Sequence, residues 1–346
     1  MKYIYILFII LGLIISSCNV DKKNQFTKFK EQYSLKGNVV NLPLFFKNGM
    51  VNVFDSLIIL LGTPENTRCI HIFNKNTFKH IASSGIIGRG PSEILVPGNA
   101  AFDTRQGIIW YRDLGYQKIW EFPLSDILKN QYFRPTESVP LPKNLFFTQF
   151  FYNKDKGFSF INPKDNILIS FFDSTGRVIE KKNITDKLEV YKKLNKNPGY
   201  VDLTYIYAPN PGNTRFIIAY RYADVVSLID TVGNVIWQTR GPDNINQTPD
   251  YKDPSLIIAN NAVVANDRLI FSMYSGRQAS EEKNGKMEHN YSKQIHIYDW
   301  EGHPLTQIMM EYTATWFDYD ADHNRIITLS PETGGFVYYD LPKLFY

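Results

Sequence analysis

The chain has 346 residues, of which 44% are hydrophobic and 15% aromatic, so it can bury a sizeable core. Tyr and Phe dominate the aromatic residues, which favours strands over helices. The formal net charge is +4, and no run of Lys and Arg marks an electrostatic footprint for nucleic acid. Composition therefore indicates an all-β protein and argues against a nucleic-acid partner.

The N-terminus begins with a lysine at position 2 and continues with apolar residues 3–15. This run is shorter than the roughly 20 residues that a transmembrane helix needs. Residues 15–18, Ile-Ser-Ser-Cys, resemble a bacterial lipobox, in which the cysteine is lipidated and becomes the mature N-terminus. We therefore predict a signal peptide over residues 1–18, a lipid anchor on Cys18 and a place in the cell envelope. An uncleaved anchor or a plain secretory peptide is the alternative.

Residues 19–36 are polar and lysine-rich without clear periodicity, which predicts a flexible tether. The second cysteine, Cys69, lies in a run of alternating hydrophobic residues that is typical of a buried thiol. With lipid on Cys18, no cysteine remains to pair with Cys69, so no intrachain disulfide is expected.

A repeated unit of hydrophobic strands and polar turns fills the rest of the chain. The third strand of successive units closes at Asn74, Phe122, Asp173, Asp230, Asp299 and Asp340. The spacing is close to the roughly 40–50 residues of a four-stranded propeller blade. Residues 37–346 are therefore predicted to form a six-bladed β-propeller with four-stranded blades.

Two local patterns sharpen this prediction. Three units have a glycine three residues after the closing aspartate, at Gly176, Gly233 and Gly302, where a hairpin turn needs a positive φ. The last unit supplies only three strands before the chain stops, while residues 37–42 form a strand that no unit claims. We expect this N-terminal strand to complete the last blade and remove an open edge.

The connector Gly88-Arg89-Gly90-Pro91-Ser92-Glu93-Ile94 resembles the Gly-x-Gly-Pro-x-Glu connector of TolB-like six-bladed propeller lipoproteins common in Bacteroidetes. Ser92 stands where that pattern has Gly. The resemblance implies a propeller fold and an envelope location, and it implies no particular activity. A second Arg-Gly-Pro, residues 240–242, follows three units downstream.

Aromatic and arginine residues recur after the second strands of three units, and two more arginines lie in the connectors. We expect them to gather on one face around the central channel, where arginine offers forked donors and tyrosine offers stacking. Such a face suits an anionic or oligosaccharide-like ligand, or an acidic loop of an envelope protein. Solvated turn residues and cross-blade salt bridges are the alternative. The predicted ligand-binding residues are Arg89, Tyr111, Arg112, Tyr220, Arg221, Arg240, Tyr274 and Arg277.

No catalytic residue, cofactor or metal site is predicted, because the six histidines lack metal-ligand spacing and no nucleophile elbow appears. The sequence thus favours a non-catalytic, envelope-anchored binding propeller. The alternative is a metal-dependent propeller hydrolase or lyase that uses Asp103, Asn266 and Asp318 in the central channel; a purely structural envelope component is a third hypothesis. Residues 276–292 are predicted to form a polar loop inserted into the fifth blade.

Overall fold

The computed structural model describes residues 23–26, 28–64, 67–142, 149–153, 157–162, 168–183, 205–212, 214–247, 253, 255–283 and 286–343. The predicted signal peptide and Cys18 lie outside these residues. Within the described ranges the chain forms 28 strands and one six-residue helix, α1 (Leu124–Lys129). No described helix is long and apolar enough to cross a membrane.

Three short strands precede the first blade: β1 (Lys23–Gln25), β2 (Glu31–Leu35) and β3 (Asn38–Val40). Blade 1 contains β4 (Met50–Phe54), β5 (Leu57–Leu61), β6 (Arg68–Asn74) and β7 (His80–Ile86). Blade 2 contains β8 (Pro97–Asp103), β9 (Ile108–Asp113), β10 (Lys118–Pro123) and β11 (Ser138–Pro140). Blade 3 contains β12 (Phe150–Asn153), β13 (Gly157–Asn162), β14 (Leu168–Phe172) and β15 (Val178–Asn183).

Blade 4 contains β16 (Tyr205–Pro209), β17 (Arg215–Tyr220), β18 (Val225–Asp230) and β19 (Val235–Arg240). Blade 5 contains β20 (Ile257–Ala265), β21 (Ile270–Gln278), β24 (Ser292–Tyr298) and β25 (Pro304–Ala314), with a separate hairpin of β22 (Ser280–Lys283) and β23 (Lys286–His289). Blade 6 contains β26 (Trp316–Asp320), β27 (Arg325–Ser330) and β28 (Gly335–Asp340).

The predicted ring closure is confirmed. β3 pairs antiparallel with β28, with Val40 opposite Phe336, so the N-terminal strand supplies the fourth strand of blade 6. The six-bladed propeller with four-stranded blades is therefore confirmed, and the first strand of each blade lies innermost. Joining the two ends of the ring in one sheet removes the free edge that blade 6 would otherwise expose.

Two strands lie inside residues 19–36, where the sequence predicted a flexible tether. β1 adds in parallel to β19 of blade 4, and β2 adds in parallel to β25 of blade 5. Phe29 between them is 3% exposed, with its ring 4.5 Å from that of His296 and 5.8 Å from that of Tyr298. Burial of this aromatic ring favours the attachment, so residues 23–25 and 31–35 belong to the rim of the propeller and not to a tether.

The predicted hairpin turns are confirmed. Gly176, Gly233 and Gly302 have φ of 76°, 82° and 85°, in the region that a side chain disfavours. In each turn the preceding aspartate accepts backbone hydrogen bonds; Asp230 Oδ1, for example, accepts from Asn234 N at 2.7 Å. The Asp-x-x-Gly pattern is therefore both a turn signal and a marker of the blade repeat.

The insertion in blade 5 lies where it was predicted, but it is not a plain loop. Residues 280–283 and 286–289 pair as an antiparallel hairpin between β21 and β24. Cys69 is fully buried, as predicted, and donates to the Gly85 carbonyl oxygen at 3.2 Å. Burial raises the pKa of its thiol to about 12, which keeps it protonated and unreactive.

Candidate functional site

The predicted ligand-binding residues divide between two inter-blade joints that lie three blades apart. We call residues 87–96, between β7 and β8, the first joint, and residues 240–247, at the exit of β19, the second joint. Each joint contains one Arg-Gly-Pro motif. The eight residues therefore fall into two groups, one at each joint.

In the first joint Arg89 is exposed, and its carbonyl oxygen accepts a hydrogen bond from the Tyr116 hydroxyl at 3.1 Å. The loop is held by Glu93, whose Oε2 accepts from Gly90 N at 2.8 Å and whose Oε1 is 3.1 Å from Arg134 Nη1. The side chain of Glu93 is thus used to shape the connector, as expected for a structural joint.

Tyr111 and Arg112 lie at the end of β9 beside this joint, and both are buried, at 3% and 6% exposure. The Tyr111 ring packs edge-on against Phe122 with centroids 6.5 Å apart. Burial lowers the pKa of the Arg112 guanidinium to about 10. The neighbouring Asp113 accepts from the Leu95 backbone N–H at 2.9 Å, which ties β9 to the connector.

The second joint is organised around Asp224, which is 2% exposed. Its Oδ2 accepts from Asp243 N at 3.0 Å, and its carbonyl oxygen accepts from Gly241 N at 2.8 Å. The Tyr274 hydroxyl donates to Asp243 Oδ2 at 2.6 Å and is itself shielded from solvent. Burial raises the pKa of the Asp224 carboxyl to about 7.

Four further predicted residues, Tyr220, Arg221, Arg240 and Arg277, lie near the second joint. The carbonyl oxygen of Tyr220 accepts from Asn260 Nδ2 at 2.8 Å, and that of Arg221 accepts from Ala259 N at 2.7 Å. Arg240 is half-buried at the end of β19, while Arg277 is exposed on β21. None of the eight predicted residues lines the central cavity that the structure contains.

That central cavity has a volume of about 340 Å³ and is bounded by the innermost strand of every blade. Its wall consists mostly of aromatic, amide and small aliphatic side chains. The partly exposed aromatic residues in the wall are Phe102, Phe151, Tyr152, Trp316 and Tyr319. The amide side chains are Asn52, Asn99, Gln149, Asn210 and Asn266.

Most of the aromatic rings in the wall are held by a second ring. Such pairs favour offset or edge-to-face arrangements and limit side-chain rotation, so the wall is preorganised before any ligand arrives. The pairs and their centroid distances are Tyr152 with Trp110 at 5.2 Å, Phe102 with Phe54 at 4.8 Å, Phe151 with Tyr207 at 4.9 Å and Tyr319 with Phe271 at 4.7 Å.

Among the described residues of this wall, Asp318 is the one charged side chain. Its Oδ2 accepts from Val53 N on the neighbouring blade at 2.6 Å, and its Oδ1 accepts from Tyr319 N at 2.8 Å. Burial in the interior raises the pKa of the carboxyl to about 7, and the two backbone donors oppose that rise. Each oxygen keeps a lone pair that no described protein donor uses.

The other two residues named for the metal-dependent alternative have local structural roles. Asp103 Oδ1 accepts from Arg105 N at 3.0 Å and is not part of the cavity wall. Asn266 lines the cavity, and its Oδ1 accepts from Arg268 N and Leu269 N, both at 2.8 Å. Over the ranges that the structure describes, no three His, Cys, Asp or Glu side chains form a metal-ligand cluster.

A groove of about 640 Å³ on the connector side shares Met50, Asn99 and Trp316 with the central cavity. Phe45, which is 61% exposed, and the predicted residue Tyr111 also line this groove. Because the two cavities share wall residues, the groove forms an approach to the channel from the face that carries the joints.

Sequence reasoning placed the ligand face on turns and connectors and gave no binding role to the aromatic residues of the innermost strands. The missed signal is the combination of an aromatic or amide residue with a strand that opens a blade. A residue at such a position borders the channel, whereas the same residue on a second or third strand packs between blades.

Comparison with known proteins supports the fold. The model of a family described as TolB-like 6-blade propeller-like matches residues 26–322. A member of the DUF4221 family from Bacteroides vulgatus has a TM-score of 0.56 at 10% identity, covering 88% of this chain and 97% of that one. A Bacteroides fragilis protein assigned to the exported class has a TM-score of 0.53 at 12% identity, covering 92% and 98%. No curated protein matches the chain. At these identities the structural likeness shows the fold alone.

Proposed function

The chain belongs to the TolB-like six-bladed propeller family, and we propose that it is a non-catalytic binding protein of the cell envelope whose ligand enters the central channel. The observation that carries this proposal is the channel wall. It combines partly exposed aromatic rings, most of them held by a second ring, with amide side chains from five of the blades. Concave, largely apolar pockets with a few polar groups are the usual sites for small ligands.

The size and chemistry of the cavity favour a small organic molecule. A volume of about 340 Å³ lies near the lower end of the range for ligand pockets. Aromatic faces with amide donors and acceptors suit one or two rings, including the sugar-like ligands that the sequence suggested. No arginine borders the described part of the wall, so the cavity offers an anionic ligand no forked cationic donor.

The exposed arginines of the two joints support a separate role in partner contact. Arg89 is exposed in the first joint, and Arg277 is exposed on β21. Neither side chain borders the channel. We propose that these two side chains, and not the buried Arg112, contact an acidic loop of an envelope partner. Replacing both with alanine would weaken such a complex and leave ligand binding in the channel unchanged.

Envelope anchoring through Cys18 is part of the proposal. β1 begins at Lys23, only five residues after Cys18, and an extended chain of that length spans at most about 18 Å. A lipid on Cys18 would therefore hold the rim of blade 4 close to the membrane surface. The likeness to an exported Bacteroides fragilis protein agrees with this location.

The anchor is tested by fractionating cells that express the full chain or Cys18→Ser. We expect the wild-type protein in the membrane fraction, with a lipid-sized mass increase on its N-terminal peptide. The serine variant should lose both. An unchanged distribution of the serine variant would show that Cys18 does not anchor the protein.

The channel is tested by a thermal-shift screen of monosaccharides, disaccharides and small cyclic compounds against the purified protein. A ligand that binds the folded state raises Tm with concentration. Asn52→Trp places a large side chain in the wall and should abolish the shift. Tyr132→Trp, at a position that is 63% exposed outside the cavity, is the matched control and should keep it. Equal shifts in both variants would place the ligand outside the channel.

A further inference from the structure

Asp318 is an unusual feature of the channel, because a carboxylate in a mostly apolar wall lacks a compensating charge. Over the described part of the chain it makes no salt bridge; its two oxygens accept only the backbone N–H groups of Val53 and Tyr319. Hydrogen bonds of this kind fix the orientation of the carboxylate but do not neutralise it. Asp318 is half-buried, and withdrawing an unpaired charge from water is costly, so a cation placed beside it would be favoured.

The cavity that Asp318 lines also contains side chains that attract cations by a second route. Trp316 lies two residues earlier on β26, and side chains two apart on a strand share a face. Tyr319 adjoins it, and Phe102, Phe151 and Tyr152 line the same cavity from blades 2 and 3. The negative face of an aromatic ring attracts ammonium groups, most strongly when water is excluded.

We infer that the ligand of the central channel carries an ammonium group, which pairs with Asp318 and lies against the aromatic wall. This inference rests on the proposed function, because it assigns the charge of the ligand that the channel binds. The ammonium group can be quaternary, as in a lipid headgroup or a methylated amine, or primary, as in an amino sugar.

The charged groups near Asp318 do not already satisfy it. β4 (Met50–Phe54), which faces it, and β20 (Ile257–Ala265) contain no charged residue. Asp320, on the same strand, repels the Asp318 carboxylate. Asp320 is itself paired with Lys75 at 3.1 Å and with Arg325 at 3.0 Å, so those two cations are engaged elsewhere.

The experiment uses two pairs of probes that differ in charge and little in shape. Choline is compared with 3,3-dimethylbutan-1-ol, and cyclohexylammonium with cyclohexanol, by calorimetric titration of the full-length protein at pH 8. We expect each cation to bind at least tenfold more tightly than its neutral partner. The stronger of the two cations distinguishes a quaternary from a primary ammonium ligand.

Asp318→Asn removes the charge and should reduce the cation preference to less than twofold. Asp103→Asn is the matched control: it also changes an aspartate on an innermost strand, but one outside the cavity wall, and should keep the preference. Asn52→Trp should abolish binding of all four probes.

A pH series on the wild-type protein keeps the inference testable even if Asp318→Asn fails to fold. Because the Asp318 pKa is about 7, the affinity for choline should rise roughly tenfold from pH 6 to pH 8 and then level off, while that for dimethylbutanol stays flat. Choline carries a permanent charge, so this rise reports the titration of the protein and not of the ligand.

Equal affinity for charged and neutral probes would overturn the inference and leave the channel-binding proposal standing. Failure of both cations to bind would also overturn it. The thermal-shift screen with saccharides would then test separately whether the channel binds a ligand.

Discussion

In both Arg-Gly-Pro joints a glycine lies against a carboxylate, but the two carboxylates differ in burial and in freedom to move. In the first joint the carboxylate is that of Glu93, whose side chain is 18% exposed and paired with the half-exposed Arg134. In the second joint it is that of Asp224, which is 2% exposed and has no cation within salt-bridge distance among the described residues.

The same difference extends to the tyrosines that fasten each joint. The Tyr116 hydroxyl donates to a backbone carbonyl at 3.1 Å, and the residue is 41% exposed. The Tyr274 hydroxyl donates to the Asp243 carboxylate at 2.6 Å, and the residue is 1% exposed. One sequence motif is therefore fastened by partly exposed side chains between blades 1 and 2 and by the buried side chains of Asp224 and Tyr274 between blades 4 and 5. The burial of the second carboxylate makes that joint sensitive to protons.

The largest expected effect is on the pH dependence of stability. The folded-state pKa of Asp224 is raised to about 7 from its ordinary value of 3.8, so between these values the folded state binds more protons than the unfolded state. The contribution of Asp224 to stability is therefore present below pH 4 and is lost as pH rises towards 7. The difference between these two pKa values corresponds to roughly 4 kcal/mol of stability as an upper bound.

The measurement is the unfolding free energy of the wild-type protein and of Asp224→Asn in urea from pH 4 to pH 8. Burial lowers the pKa values of His71 and His296, so these residues make stability rise with pH, opposite to Asp224. Both proteins contain these histidines, so the difference between their unfolding free energies isolates the contribution of Asp224. The asparagine variant should gain relative stability as pH rises. Glu93→Gln is the matched change in the first joint. It should alter the unfolding free energy, relative to the wild type, by less than about 1 kcal/mol between pH 4 and pH 8, because Glu93 pairs with Arg134 in a salt bridge at the surface. Parallel pH profiles for the wild type and Asp224→Asn would show that the buried carboxyl does not control the joint.

The second comparison is steric. A Cβ on Gly241 would overlap the Asp224 carboxylate, which cannot retreat because the Gly241 N–H and the Asp224 carbonyl oxygen are hydrogen-bonded to each other. A Cβ on Gly90 would meet the Glu93 Cδ at 2.8 Å, but this is the end of a flexible, partly exposed side chain. We expect Gly241→Ala to destabilise the protein by about 1–3 kcal/mol and Gly90→Ala by less than about 1 kcal/mol.

Urea titration of both alanine variants at pH 7 measures this difference. An equal loss of unfolding free energy in the two variants would contradict the predicted difference between the joints. Crystal structures would show a displaced Glu93 side chain in Gly90→Ala and a shifted connector in Gly241→Ala.

The architecture could be predicted from local chemistry. Asp-x-x-Gly turns at Asp173, Asp230 and Asp299 need a positive φ whatever the surroundings, so they marked the blades. Ring closure could be predicted by counting strands, because the last blade has only three of its own and requires a fourth from the N-terminus. The attachment of β1 and β2 could not be predicted in this way, because a parallel strand added to a rim has no turn of its own and depends on tertiary contacts such as those of Phe29.

The candidate site was harder to predict, because the same residue type has different surroundings on different strands. Tyr111 and Tyr274 were assigned to a binding face, but β9 and β21 are second strands, whose side chains pack between blades. Asp318 was correctly placed on an innermost strand, as a candidate for a different chemistry. The aromatic wall beside it depends on residues from blades distant in sequence, which no local pattern joins.

The smallest expected effect tests backbone strain close to each Arg-Gly-Pro motif, at the first residue after it in the first joint and at the second residue after it in the second joint. Ser92 has φ of 61° and Asn244 has φ of 51°, so both joints place a residue other than glycine in the left-handed region. Asparagine tolerates this region better than serine, and the connector motif of TolB-like propellers has glycine at the position of Ser92. Ser92→Gly should stabilise the protein by about 0.5–1 kcal/mol, because relief of the strain exceeds the entropy that glycine loses on folding. Asn244→Gly should change stability by only a few tenths of a kcal/mol. Thermal unfolding of the two variants compares them, and equal destabilisation by both glycines would show that neither joint stores strain at this position.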